Sequence, residues 1–67
     1  MNLKALVADI KRQQNYLGIE NDELAAAMRV CRATLYNRMS KPEDFTLKEL
    51  ALCEHKLKMK IFNERTN

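Results

Sequence analysis

Apolar residues recur at helical spacing along the first seventeen positions of the chain, and the charged residues Lys4, Asp9, Lys11 and Arg12 fall on the other face. The apolar face consists of Leu3, Leu6, Val7, Ile10 and Leu17. This pattern predicts an amphipathic first helix from about Asn2 to Leu17. Gly18 follows directly, and a glycine at that point commonly ends a helix.

Two shorter helices joined by a tight turn are predicted next. Their apolar seams are Leu24, Ala25 and Met28 in the second helix and Leu35 and Met39 in the third. We expect the second helix to end near Met28 and Val30 to lie in the turn. The third should run from about Arg32 to Met39 or Ser40. The small Ala25 suits two helices that approach each other closely at a steep angle.

Start signals support these two helices unequally. Asn21 is a suitable N-cap for the second helix, and Asp22 and Glu23 in its first turn are favoured by the helix dipole. Cys31 stands where Ser or Thr usually caps the third, so that start signal is weak.

A fourth helix is predicted after the loop formed by residues 41–44. Thr46 and Glu49 have the spacing of a capping box, with Thr46 as the cap. The predicted buried face consists of Leu47, Leu50, Cys53 or Ala51, and Leu57.

The segment that follows is ambiguous. Residues 56–61 alternate charged and apolar side chains, which is typical of a half-buried strand. Leu50, Cys53, Leu57 and Ile61 also fit one helical face. We favour an extended segment after about Leu57. A lone strand needs a pairing partner, for which the same strand of a second subunit is the simplest choice; a frayed terminus is the alternative.

Residues 18–57 resemble the Cro and cI repressor family, the lambda-repressor-like (Xre-type) helix-turn-helix domains. The resemblance is carried by Gly18-Ile19, Leu24-Ala25, Met28, Val30, Leu35, and Pro42 with Phe45-Thr46-Leu47. It implies a compact all-α domain of four to five helices spanning residues 1–67, with a short C-terminal strand or extended dimerisation tail as an option. Arg29 departs from the family, which usually has glycine in the turn. Arg38 also departs, at a position that is often apolar, and Met39 is expected to replace it in packing.

Positive charge is concentrated in the middle of the chain. The net charge is +3, and residues 28–48 contribute five basic residues against two acidic ones. This excess falls on the third predicted helix and the loop after it, where it favours contact with phosphates.

Other functional classes find little support. Cys31, Cys53 and His55 do not have the spacing of a zinc site, and both cysteines are expected to be small, semi-buried thiols. No catalytic constellation or Gly-rich phosphate loop is apparent, so no enzyme activity, cofactor or small-molecule ligand is expected. The longest apolar run, residues 24–28, is too short to span a membrane, and no signal segment is apparent; a cytoplasmic location is expected.

The resemblance implies that the exposed side of the third helix reads DNA bases. The corresponding residues here are Cys31, Arg32, Ala33, Tyr36 and Asn37. Arg32 can form two hydrogen bonds with guanine and Asn37 two with adenine, while Ala33 can touch a thymine methyl group. Tyr36 offers both an apolar ring and a hydroxyl group.

Contacts with the phosphate backbone are expected at both ends of this surface. Asn21 should contribute at the start of the second helix through its side chain and neighbouring amides. Arg38, Ser40 and Lys41 are further candidates, with Lys48 as a weaker one.

The predicted function is therefore sequence-specific transcription regulation through the major groove of double-stranded DNA. The short chain favours a small Cro-like repressor, of phage or mobile-element type, that binds a two-fold operator as a homodimer. A protein-interaction module on the same scaffold, such as an antitoxin or antirepressor, is the alternative. The operator sequence and the sign of regulation cannot be read from these residues.

Overall fold

Four α-helices and one 3-10 turn make up the fold. A computed structural model describes residues 2–61, and the helices are α1 (Leu3–Leu17), α2 (Asn21–Met28), α3 (Arg32–Ser40) and α4 (Leu47–Leu57). Pro42–Asp44 form the 3-10 turn within the predicted loop. Since these residues include no strand, the predicted all-α class is confirmed.

Local signals determine most of the helix ends. Asn2 caps α1 by accepting a hydrogen bond from the amide of Ala5, and Gly18 ends it in the left-handed conformation. Thr46 and Glu49 form the predicted capping box on α4, with bonds of 3.0 and 3.1 Å between each backbone amide and the other side chain.

The predicted cap of α2 is wrong by one position. Glu20 is the N-cap residue and forms no side-chain capping bond, while Asn21 is the first residue of the helix. The side-chain oxygen of Asn21 instead accepts a hydrogen bond from the buried Gln14. The Asn21 side-chain oxygen, which could have capped α2, therefore binds Gln14 of α1.

The core forms where the apolar faces of the four helices meet. Its buried apolar residues are Leu6, Ile10, Leu24, Ala25, Met28, Leu35, Leu50, Cys53, Leu57 and Ile61. Met39 packs against this cluster, as do Val30 and Phe45. The predicted seams of α2 and α3 therefore both face the core.

Two residues of the predicted buried faces are exposed, and one open alternative is decided. Leu47 is 74% exposed because the first residue of α4 lies on the outer side, while Glu49 is buried. Leu17 is also exposed. Ala51 is exposed and Cys53 is fully buried, which decides between those two alternatives.

The chain after α4 returns to the core of the same molecule. Lys58 ends the helix in a left-handed conformation, and residues 59–61 form neither helix nor strand. Ile61 is buried, and its amide donates a 2.8 Å hydrogen bond to the carboxylate of Glu54. Leu57 and Ile61 therefore pack in the core of their own molecule. The predicted dimerising or frayed tail, about residues 58–67, is described only as far as Ile61, and its remainder lies outside the described residues.

Arg29 adopts a strained backbone conformation at the end of α2. Its φ is 61° and its ψ 40°, in the left-handed region. The amides of Arg29 and Val30 bond to the carbonyls of Ala26 and Ala25, at 3.1 and 3.0 Å. The turn is thus held by backbone bonds that require this conformation.

Arg29→Gly should stabilise the fold because glycine adopts the left-handed region without steric cost. We expect the free energy of unfolding to rise by about 1 kcal/mol. For a chain of this size, this corresponds to a melting temperature roughly 4–8 °C higher. Arg29→Ala is the matched control, since it removes the side chain but retains the steric cost. Equal melting temperatures for the two variants would contradict the interpretation.

Candidate nucleic-acid interface

The helix–turn–helix arrangement of α2 and α3 presents one side of α3 to solvent. Leu35 is 1% exposed and anchors α3 to the core, whereas Tyr36 is 66% exposed. Arg32, Ala33 and Asn37 are also exposed. The buried anchor therefore decides which side of α3 faces outward.

The outer side of α3 and the start of α2 enclose a shallow depression of about 610 Å³, which we call the α2–α3 groove. Its lining residues are Glu20, Asn21, Asp22, Arg32, Ala33, Tyr36 and Asn37. Five of the nine residues predicted to contact DNA are brought together here. The first turns of α2 and α3 both open onto the groove, and neither helix has a side-chain cap.

Arg32 is paired within the groove. Its guanidinium donates a 2.7 Å hydrogen bond to the Asp22 carboxylate, and this bond raises the pKa of Arg32. Both side chains are about 70% exposed, at 67% and 71%, so solvent screens the pair strongly. A base edge or phosphate could therefore displace Asp22 at small cost.

Sequence reasoning missed the acidic component of the groove. It interpreted Asp22 only as a residue favoured by the dipole of α2, and it assigned no role to Glu20. The two carboxylates line the same depression as Arg32. The detectable signal was the position of Asp22, immediately after the predicted phosphate contact Asn21.

A second depression of about 260 Å³ continues from the groove between α1 and α3. Asn21 and Tyr36 line both depressions, and the second is also lined by Lys11 and Ser40. Ser40 is thus close to the other predicted contacts. Lys11 was not predicted, because the sequence does not reveal which side of α1 faces the start of α2.

Arg38 lies outside the groove and is bound to Glu49. The guanidinium donates two hydrogen bonds to the carboxylate, at 2.9 and 3.3 Å. This pairing lowers the pKa of Glu49. Only 24% of the Arg38 side chain and 11% of the Glu49 side chain are exposed. The pair joins α3 to the capped start of α4, so the geometry assigns Arg38 a structural role.

The other predicted contacts occupy the ends of α3. Lys41 follows its last residue, is exposed, and forms no ion pair within residues 2–61. Cys31 is the N-cap residue and does not line the groove.

The two cysteines differ in accessibility. Cys31 is exposed, contrary to expectation, and its thiol lies 3.2 Å from the Thr34 hydroxyl. This hydrogen bond lowers the pKa of Cys31. Cys53 is fully buried, and burial raises its pKa to about 11. The Cys53 thiol is therefore protonated and inaccessible at neutral pH.

Neither a metal site nor a membrane-spanning helix is present in the described part of the chain. Residues 2–61 contain no group of three or more His, Cys, Asp or Glu side chains placed to hold a metal ion. Nor does any helix in this range combine the length and apolar character needed to cross a membrane. Comparison with protein-family models, curated proteins and solved structures finds no match to the chain.

Glu49→Gln should destabilise the fold in a pH-dependent manner. Because the pKa of Glu49 is lowered in the folded state, its ionised form stabilises the fold above the ordinary carboxyl pKa of 4.5. This contribution disappears as the pH falls through the lower, folded pKa. The difference in melting temperature between wild type and variant should therefore be greatest near pH 7 and shrink below about pH 4.5.

Glu43→Gln is the control, because Glu43 is exposed on the 3-10 turn and should show little difference at any pH. Thermal unfolding followed by circular dichroism between pH 3 and 7 measures both variants. A constant difference for Glu49→Gln across this range would show that ionisation of Glu49 does not contribute.

Proposed function

We propose that this chain is a sequence-specific DNA-binding protein that inserts α3 into the major groove. The α2–α3 groove carries the proposal. It combines an exposed guanidinium, carboxamide and phenol on one side of a helix whose opposite side is fixed in the core.

The chemistry of α3 suits base recognition. Arg32, Ala33, Tyr36 and Asn37 follow the i, i+1, i+4, i+5 spacing that keeps them on one side of the helix. Arg32 is suited to the acceptor pair of guanine, Asn37 to the donor and acceptor of adenine, and Ala33 to a thymine methyl group. These three kinds of contact distinguish base pairs in the major groove.

The surroundings of α3 suit the sugar–phosphate backbone. The uncapped first turns of α2 and α3 provide amide donors, an arrangement that commonly binds phosphate. Lys41 and Ser40 lie at the opposite end of α3. Contacts at both ends would fix the position of the helix along the duplex.

A dimer follows from the size of this surface. A helix of nine residues is roughly 13 Å long and spans about four base pairs, too few for recognition in a genome. We therefore propose a homodimer on a two-fold operator with half-site centres ~34 Å apart. Such a protein would act by occupying DNA, as a repressor of the Cro type, without catalysis.

The acidic residues favour a second candidate function. Glu20 and Asp22 outnumber Arg32 in the α2–α3 groove, so its formal charge is negative. A protein-interaction module, such as an antitoxin or antirepressor, would use this face to bind a basic partner. DNA binding remains the preferred proposal because Arg32 and Asn37 supply the bidentate donors that base edges require.

Arg32→Ala and Asn37→Ala should each weaken binding to a cognate duplex by roughly 5- to 150-fold. Each variant removes a pair of hydrogen bonds that form only with the correct base, so discrimination should relax at particular base pairs. The cognate site is first selected from a random duplex pool and should be two-fold symmetric. Fluorescence anisotropy on cognate and scrambled duplexes measures the affinities.

Lys41→Ala is the contrasting variant, since phosphates occur in every sequence. It should weaken cognate and scrambled binding alike and reduce the slope of log affinity against log salt by about 1. All three variants must retain the wild-type circular dichroism spectrum. Unchanged cognate binding by Arg32→Ala and Asn37→Ala would reject α3 as the reading helix and favour the interaction module.

Asp22→Asn should increase affinity for a scrambled duplex by roughly three- to tenfold at low salt. The substitution removes a carboxylate from the groove and releases Arg32. Asp9→Asn is a matched control because Asp9 forms a similar exposed pair with Arg12 on α1, outside the groove. Equal effects of the two substitutions would indicate a general charge effect, whereas lower affinity of Asp22→Asn would contradict the proposed geometry.

A further inference from the structure

Within the proposed DNA-binding function, on which this inference rests, we propose that Gln14 is a positioning residue for a phosphodiester contact. Gln14 orients the side chain of Asn21 so that its Nδ2 amino group faces the DNA, and Lys11 supplies the neighbouring positive charge. The ligand is one phosphodiester group of the duplex, contacted from α1 and the start of α2.

Hydrogen bonding determines the orientation of both side-chain amides. Gln14 Nε2 donates to the backbone carbonyl of Ile19 at 3.3 Å and to Asn21 Oδ1 at 2.9 Å. A carbonyl oxygen can only accept, so Gln14 must direct its amino group toward Ile19. The second proton of that group then requires an oxygen from Asn21. Because only Oδ1 of Asn21 is used in this contact, its Nδ2 amino group can donate to a different acceptor.

The burial of Gln14 makes this orientation robust. The residue is 7% exposed, and the amide of Ile19 returns a 2.9 Å bond to its backbone carbonyl. Reversing the Gln14 amide would place its side-chain oxygen against both the carbonyl of Ile19 and Oδ1 of Asn21, so that acceptors would face each other at both contacts. Such unsatisfied groups are costly in a buried environment. Asn21 itself is exposed, so its amino group can reach a ligand.

Lys11 completes the contact from α1. It precedes Gln14 by three residues, close to one helical turn, and lines the second depression together with Asn21 and Ser40. Lys11 is exposed and forms no ion pair within residues 2–61. An amino group, an ammonium group and a hydroxyl group thus border one depression, a donor set suited to phosphate oxygens.

A double-mutant cycle tests whether Gln14 acts through Asn21. Binding to a 20-base-pair random-sequence duplex is measured for wild type, Gln14→Met, Asn21→Ala and the double variant at several salt concentrations. We expect Asn21→Ala to weaken binding about tenfold and Gln14→Met roughly three- to tenfold. In the Asn21→Ala background, Gln14→Met should have no further effect. An equal loss in both backgrounds would overturn the positioning role.

A measurement on the wild-type protein avoids dependence on the folding of Gln14→Met. In ¹⁵N–¹H spectra, the Gln14 side-chain amide should exchange slowly with solvent and the Asn21 amide quickly. Addition of the duplex should shift the Asn21 signals. Rapid exchange of Gln14, or unshifted Asn21 signals in the bound state, would overturn the proposal.

The role of Lys11 is tested by its salt dependence. Lys11→Ala should reduce the slope of log affinity against log salt by about 1, whereas Lys4→Ala, a lysine on α1 outside the second depression, should leave it unchanged. Equal slopes for the two variants would remove Lys11 from the contact. If wild type binds no duplex, the proposed function fails; if it binds but the cycle is additive, only the positioning role fails.

Discussion

The left-handed turn at Arg29 fixes the relation between α2 and α3, on which the candidate interface depends. It allows the amide of Val30 to reach the carbonyl of Ala25, and it joins the two helices through only three residues. Leu24, Met28 and Leu35 then meet in the core. With these side chains buried, the first turns of α2 and α3 necessarily open onto a common groove. The backbone cost at Arg29 is offset by that packing.

Two buried polar side chains connect the helices in ways that apolar packing could not. Glu49 belongs to the capping box of α4 and also binds Arg38 of α3. Gln14 links α1 to the start of α2 through Ile19 and Asn21. Each of these two side chains has specific hydrogen-bond partners, as is usual for buried polar residues. These bonds fix orientation, whereas the apolar core supplies most of the stability.

The electrostatics of the groove favour selectivity over strong attraction to any duplex. Asp22 accepts a hydrogen bond from Arg32, and Glu20 provides a second carboxylate in the same groove. In the proposed function, a DNA sequence must offer Arg32 a better partner than Asp22 before the contact is gained. Non-specific attraction would then come mainly from charges outside the groove, such as Lys11 and Lys41. Discrimination between partners often uses such opposing contacts.

Sequence alone predicted the elements that local interactions determine. The C-terminal ends of α1 and α2, the range of α3 and the capping box of α4 all follow from spacing, glycine and caps within a few residues. The position of Arg29 in the turn between the second and third helices was predicted in the same way. Arg32, Tyr36 and Asn37 were assigned to the exposed side of the third helix through the family resemblance, and the structure shows all three exposed.

The partners of polar side chains were decided only by the tertiary structure. The Asp22–Arg32, Arg38–Glu49 and Gln14–Asn21 contacts span seven to eleven residues and cross between elements. Periodicity predicts which side of a helix is buried, but it does not identify the side chains of other elements that contact that helix. These contacts therefore could not be predicted from one sequence. The same reason explains the exposure of Leu47 and the burial of Ile61, since both depend on how the end of each helix meets the rest of the core.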